Sequence, residues 1–89
     1  MDDRKRNILR ATVSSYIESA EPISSKYILK RYGFDISPAT IRNELKELEN
    51  EGYIQQVHTS SGRIPTDKGY RRYVDSLMNI KSLDADKQK

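Results

Sequence analysis

The chain of 89 residues contains no cysteine, no tryptophan and a single histidine. Without cysteine it has no disulfide, no thiolate zinc site and no thiol nucleophile. The one imidazole, His58, cannot build a histidine-rich metal site, and a lone histidine at a strand end is expected to be structural. These absences predict a protein without a metal or a cofactor.

Long apolar runs are also missing. No stretch reaches the roughly 18 apolar residues of a membrane-spanning helix, and the charged first ten residues lead into no apolar core of a signal peptide. We therefore expect a cytoplasmic protein without membrane contact. Apolar residues are 35% and charged residues 33% of the chain, which predicts one domain with a small core.

Charge is unevenly placed, although the net charge is only +3. Between Gln55 and Arg72 four basic residues accompany one acidic residue, whereas between Glu44 and Glu51 four acidic residues accompany one lysine. A basic segment of this kind is typical of proteins that bind a polyanion, but it also occurs on the solvated surface of proteins that bind none. Charge alone leaves both interpretations open.

The first half of the chain has the spacing of three helices. The first is predicted from about Asp3 to Ala20, ending at Glu21-Pro22, and Ile23 is then a short extended residue. Its apolar face would contain Leu9, Val13, Tyr16, Ile17 and Ala20. A second helix of about two turns would follow a cap at Ser24 or Ser25 and end at Gly33.

The third helix has the clearest start, because Ser37 is a good N-cap and Pro38 suits the first helical position. Its buried stripe would be Ile41, Leu45 and Leu48. A hairpin of residues 53–57 and 64–65 is predicted next, followed by a helix capped by Thr66. The apolar stripe of that last helix would be Tyr70, Tyr73, Val74, Leu77 and Met78.

Two helices joined by a tight turn form a helix-turn-helix, and a hairpin directly after it makes a winged helix. The sequence thus predicts a mainly α domain with a small β-hairpin wing, a winged helix-turn-helix, over residues 1–78. Residues 79–89 lack a core pattern and are expected to be a frayed polar tail or a truncated linker.

In a helix-turn-helix the second helix reads base edges in the major groove. The inward stripe of the third helix leaves Ala39, Thr40, Arg42, Asn43 and Lys46 on or beside its outward face. Arginine binds guanine bidentately, asparagine pairs with adenine, and threonine touches the thymine methyl. We predict that Thr40, Arg42, Asn43 and Lys46 read the major groove; a solvated polar face is the alternative.

The hairpin loop contains hydroxyls, backbone N–H groups and one guanidinium, a set that suits DNA backbone or minor-groove contact. The predicted backbone contacts are Thr59, Ser60, Ser61 and Arg63 in the wing, with Ser37, Arg71 and Arg72 flanking them. An ordinary hairpin loop is the alternative interpretation.

Nothing in the sequence indicates catalysis. There is no Gly-x-Ser-x-Gly elbow and no phosphate-binding glycine-rich loop, and the pair Asp84 and Asp86 lies in the patternless tail. We predict that the protein is not an enzyme and has no catalytic residue.

Two segments carry a resemblance to a known family: residues 37–53, which begin Ser-Pro-Ala-Thr-Ile-Arg-Asn-Glu-Leu, and residues 58–74. Together they closely resemble the N-terminal DNA-binding domain of the heat-inducible transcription repressor HrcA family, over about residues 7–78. The resemblance implies a winged-helix repressor of heat-shock chaperone operons that binds an inverted-repeat operator. It also implies that the chaperonin GroEL keeps the repressor active, so that heat relieves repression.

Members of that family continue into a dimerisation and regulatory region that has no counterpart in these 89 residues. The chain is then either an excised domain or a stand-alone homologue. A dimer is expected for the full-length family and a monomer for this chain alone. The alternative function is a winged-helix protein-interaction module that does not bind DNA sequence-specifically.

Overall fold

The computed structural model describes residues 3–33, 35–57 and 62–87, with side chains up to residue 77. The elements are α1 (Asp3–Ser19), α2 (Ser25–Tyr32), α3 (Pro38–Asn50), β1 (Ile54–Gln56), β2 (Arg63–Pro65) and α4 (Asp67–Lys87). Their order, three helices, an antiparallel hairpin and a fourth helix, is the predicted one. None of the helices in these ranges has the length and apolar composition needed to cross a bilayer.

Helix α1 lies at the centre of the core and contacts α2, α3, α4 and β2. Its buried residues are Ile8, Leu9, Ala11, Thr12, Val13 and Ser15. The predicted apolar face was therefore only partly correct, since Ile17 is 57% exposed and Ala20 is exposed. A helix covered on most sides buries small polar residues as well, and the Thr12 hydroxyl is satisfied by donating to the Ile8 carbonyl oxygen at 2.8 Å.

Helix α1 ends at Ser19, one residue before the predicted end at Ala20. Ala20 adopts a left-handed φ of 58°, which turns the chain out of the helix, and its N–H donates to the Tyr16 carbonyl oxygen at 2.7 Å. Ile23 is extended as predicted, and it is buried while it bridges to Arg63 of β2.

The predicted caps of the helix-turn-helix are confirmed. The Ser24 hydroxyl accepts the Tyr27 N–H at 3.1 Å, and Gly33 ends α2 with a left-handed φ of 59°. The Ser37 hydroxyl accepts the Thr40 N–H at 3.1 Å at the start of α3. The apolar stripe of α3 consists of Ile41, Leu45 and Leu48 and is fully buried. Ile28 of α2 and Ile54 of β1 are buried in the same core.

The hairpin is short and leads directly into α4. Its register pairs Ile54 with Pro65 and Gln56 with Arg63, and the Thr66 hydroxyl caps α4 by accepting the Gly69 N–H at 3.2 Å. Tyr70 and Tyr73 pack against the core as predicted.

Two expectations for α4 need correction. Val74 is 47% exposed and is not part of a buried stripe. The helix also continues to Lys87, so the segment after Asn79 that the sequence predicts as frayed is helical. The predicted boundary between a domain (1–78) and a tail or linker (79–89) stays a prediction, and the side chain of Met78 lies outside the described part.

Candidate nucleic-acid interface

The outward face of α3 carries a polar stripe without acidic residues in its N-terminal half. Since successive residues of a helix are rotated by about 100°, the three buried residues fix which side chains face away from the core. The exposed residues on that side are Ala39, Asn43, Lys46, Glu47 and Asn50, and the exposed Arg42 lies at its edge. Within the described side chains, Arg42 and Lys46 have no carboxylate partner.

Thr40 lies apart from that stripe. It is rotated by about 160° from Arg42 around the helix axis and is half-buried. Its hydroxyl is 2.9 Å from the Ser37 hydroxyl, so the two side chains are bonded to each other at the start of the helix. Ser37 itself is exposed. Of the four predicted base-reading residues, the structure thus brings Arg42, Asn43 and Lys46 together and places Thr40 on a flank.

Three carboxylates at the C-terminal end of α3 are paired with cations from other elements. The Lys5 ammonium of α1 lies 3.4 Å from Glu47 Oε1 and 3.2 Å from Glu51 Oε2. The lysine side chain is only 14% exposed. The hydrogen bond with Glu51, together with the charge of Glu47, raises the pKa of Lys5 above its usual value. Lys5 therefore ties the start of α1 to the C-terminal half of α3.

Arg63 holds the third of these carboxylates. Its Nε donates to Glu49 Oε1 at 3.2 Å, and its side chain is 16% exposed. The predicted wing contact thus lies at the base of the hairpin with its guanidinium against α3. The other predicted wing residues, Thr59, Ser60 and Ser61, lie outside the described residues, as does His58.

The predicted flanking contacts Arg71 and Arg72 are exposed on α4. They share a shallow depression with Tyr53, Lys68 and the acidic Asp75. Lys68 donates to the Glu51 carbonyl oxygen at 2.7 Å, and its ammonium lies 4.5 Å from the centre of the Tyr53 ring. Arg71 and Arg72 therefore lie near the C-terminal end of α3, about 20 Å along the helix from Ser37.

Residues 12–72 match the family model described as the Ribonuclease R winged-helix domain. The chain belongs to this winged-helix family. By its place in this fold, α3 corresponds to the recognition helix of a winged helix-turn-helix, and the β1–β2 hairpin corresponds to its wing.

Curated relatives indicate which kind of winged-helix protein this chain resembles. The heat-inducible transcription repressor HrcA of Clostridium tetani is 55% identical over 85 residues, which cover 96% of this chain and 24% of the relative. The HrcA of Desulforudis audaxviator is 59% identical over 78 residues, covering 88% of this chain and 23% of the relative. The chain therefore spans about a quarter of the length of the curated relatives it matches. The resemblance to the HrcA N-terminal domain is confirmed.

A solved structure agrees with this winged-helix fold. A crystal structure described as that of a hypothetical protein matches with a TM-score of 0.87 and 49% sequence identity. The match covers 90% of this chain and 26% of the other.

Sequence reasoning missed two lysines on the first helix of the helix-turn-helix. Lys26 and Lys30 are exposed one turn apart on α2, which packs against the recognition helix. No carboxylate pairs with either lysine among the described side chains, whereas Arg31 beside them pairs with Glu18. Their i, i+4 spacing was the signal that could have identified them.

An open cleft lies between α1, α2 and α4. It is lined by Asn7, Arg10, Ala11, Ser14, Tyr32 and Tyr73. Asn7 and Arg10 are on the side of α1 that faces away from Lys5, and hence away from the C-terminal half of the recognition helix. The cleft is therefore a reference surface with which changes at α3 can be compared.

Proposed function

We propose that this chain is the DNA-binding domain of a transcription repressor and that it binds double-stranded DNA sequence-specifically through α3. The observation that carries the proposal is the outward stripe of that helix. Arg42, Asn43 and Lys46 are exposed together, and the fully buried stripe behind them fixes the direction in which they point. Donors of these types on a recognition helix suit the base edges of the major groove.

The proposed DNA contacts of α3 differ along the helix. Arg42 and Asn43 would bind base edges, and Lys46 would bind guanine or a phosphate. Thr40, half-buried on a flank of the helix, would contribute its methyl group. Ser37 at the helix start would contact the DNA backbone.

Further backbone contacts come from neighbouring elements. Lys26 and Lys30 suit this role because the first helix of such a motif crosses the backbone. Thr59, Ser60 and Ser61 are proposed as wing contacts, and Arg71 and Arg72 as outlying phosphate contacts.

The biological role is proposed from the relatives, which are named heat-inducible transcription repressors. We infer that the chain recognises the operator DNA through which heat-shock chaperone operons are repressed, and that it acts in the cytoplasm. An inverted repeat requires two copies related by a two-fold axis. Dimerisation and a response to GroEL would belong to the parts of the relatives outside this match. The 89 residues alone should sediment as a monomer, and a stable dimer at micromolar concentration would contradict this.

The test is selection from a random pool of double-stranded DNA, followed by affinity measurements at two salt concentrations. If about four phosphates are contacted, affinity for the selected duplex should fall about a hundredfold between 50 and 200 mM salt. Selection of no preferred duplex would contradict the proposal. It would favour a protein-interaction module instead.

A further inference from the structure

The first residues of the return strand are anchored in three ways. Arg63 exchanges two backbone hydrogen bonds with Ile23, each of 2.9 Å. Gly62 lies so close to the chain before α2 that a Cβ at this position would be 2.7 Å from Pro22 Cβ. The Arg63 side chain bonds Glu49 in the last turn of α3.

These anchors connect the wing to both helices of the helix-turn-helix. Ile23 directly precedes Ser24, the N-cap of α2, and Glu49 belongs to the recognition helix. Arg63 pairs with Gln56 at the last position of the β1–β2 register. It therefore lies where the two strands of the wing leave the body of the domain.

The Arg63 contact lies on the flank of the recognition helix that carries Arg42. Seven residues separate Arg42 from Glu49, so their side chains point within about 20° of each other around the helix. The angle at which the wing leaves this flank thus determines how the wing and Arg42 are spaced for binding.

We propose that Arg63 is a positioning residue whose ion pair with Glu49 sets the wing against the recognition helix, and that it does not contact phosphate itself. This inference rests on the proposed DNA binding and assigns Arg63 a different role from the wing contact that the sequence predicts. Its Nε is already bonded and only 16% of its side chain is exposed. A partly buried pair with a directed hydrogen bond holds its geometry better than an exposed pair does.

The test measures binding of the full chain to its selected duplex for Glu49→Gln, Arg63→Ala and Arg63→Lys. Removing an acidic charge near DNA would ordinarily strengthen binding, so a weakening by Glu49→Gln indicates positioning. We expect Arg63→Ala to weaken binding by about fivefold. Glu49→Gln should weaken it by a smaller factor, because glutamine keeps an acceptor oxygen but loses the charge. The dependence of affinity on salt should be unchanged in both. Arg63→Lys should also weaken binding, because lysine keeps the charge but not the Nε geometry.

The reversed pair Glu49→Arg with Arg63→Glu provides the rescue experiment. It should recover part of the affinity that each single reversal loses. Thermal unfolding of every variant checks that the loss is not caused by unfolding.

A phosphate contact would give the opposite pattern. Arg63→Ala would then lower the salt dependence by about one unit, and Glu49→Gln would not weaken binding. That result overturns the positioning role while leaving the DNA-binding proposal intact. A wild-type chain that selects no duplex overturns both.

Discussion

The charged side chains of α3 are used differently along its length. Up to Lys46, the exposed charged residues Arg42 and Lys46 are basic and have no carboxylate partner among the described side chains. From Glu47 onward, Glu47 and the C-cap residue Glu51 are bonded to Lys5, and Glu49 is bonded to Arg63. One helix therefore presents cations outward at one end and is fixed to its neighbours by carboxylates at the other.

This arrangement makes a helix with several carboxylates compatible with the proposed DNA binding. Carboxylates facing phosphates would repel them, whereas carboxylates paired with internal cations contribute little net field at the surface. The same pairs orient the helix, because Lys5 and Arg63 come from elements on different sides of it. Both effects depend on tertiary contacts and not on the helix alone.

The largest effect should come from truncating a buried residue of α3, in contrast to truncating the exposed residue next to it. Leu45→Ala should lower the free energy of unfolding by about 2–5 kcal/mol, because Leu45 is fully buried and truncation leaves a cavity. Chemical denaturation measures this.

Lys46→Ala is the matched control. It should change the free energy of unfolding by at most about 0.5 kcal/mol and should reduce DNA affinity instead. Equal losses of stability for the two variants would show that the helix is oriented differently.

The next effect concerns binding at the N-terminal half. Arg42→Ala should cost about 1–3 kcal/mol in affinity for the selected duplex and relax the preference at one base position. Competition with single-base variants of the duplex measures both quantities.

Glu47→Gln is the comparison variant for Arg42→Ala, since Glu47 lies on the same helix but bonds Lys5. It should leave the base preference unchanged. If Arg42→Ala changes neither affinity nor preference, Arg42 does not read bases.

The smallest effect should come from Lys5, which ties α1 to the C-terminal half of α3. Its pKa is raised in the folded state, so its stabilising contribution is full below the unfolded pKa and is lost as pH rises through the raised pKa. Lys5→Met, which keeps the alkyl stem, should lower the thermal midpoint at neutral pH. The difference from wild type should shrink well above pH 10.5.

A difference in thermal midpoint between Lys5→Met and wild type that stays constant across that alkaline range would contradict an electrostatic role. In that case the contribution of Lys5 would come from packing of its stem.

Local signals predicted the helix-turn-helix well. The caps at Ser37 and Gly33 depend on side-chain and backbone geometry within a few residues, and the spacing of Ile41, Leu45 and Leu48 determines one buried face. Such features are readable from the sequence because they involve neighbours along the chain.

Tertiary contacts explain what was not predicted. Ser15 is buried because α1 is surrounded, and its hydroxyl is bonded to that of Tyr32, 17 residues away. The acidic and basic segments of the sequence were interpreted separately, although Glu49 and Arg63 are partners across 14 residues. Helix α4 continues beyond its apolar pattern, which apolar periodicity does not detect.

The most direct test of the central claim is a titration of the isotopically labelled chain with its selected duplex, following backbone amide chemical shifts. We expect the largest changes along residues 37–46 at and after the start of α3 and at Lys26 and Lys30. We expect small changes at Asn7 and Arg10 in the cleft between α1, α2 and α4. Largest changes at that cleft, with residues 37–46 unaffected, would contradict the claim that α3 binds DNA.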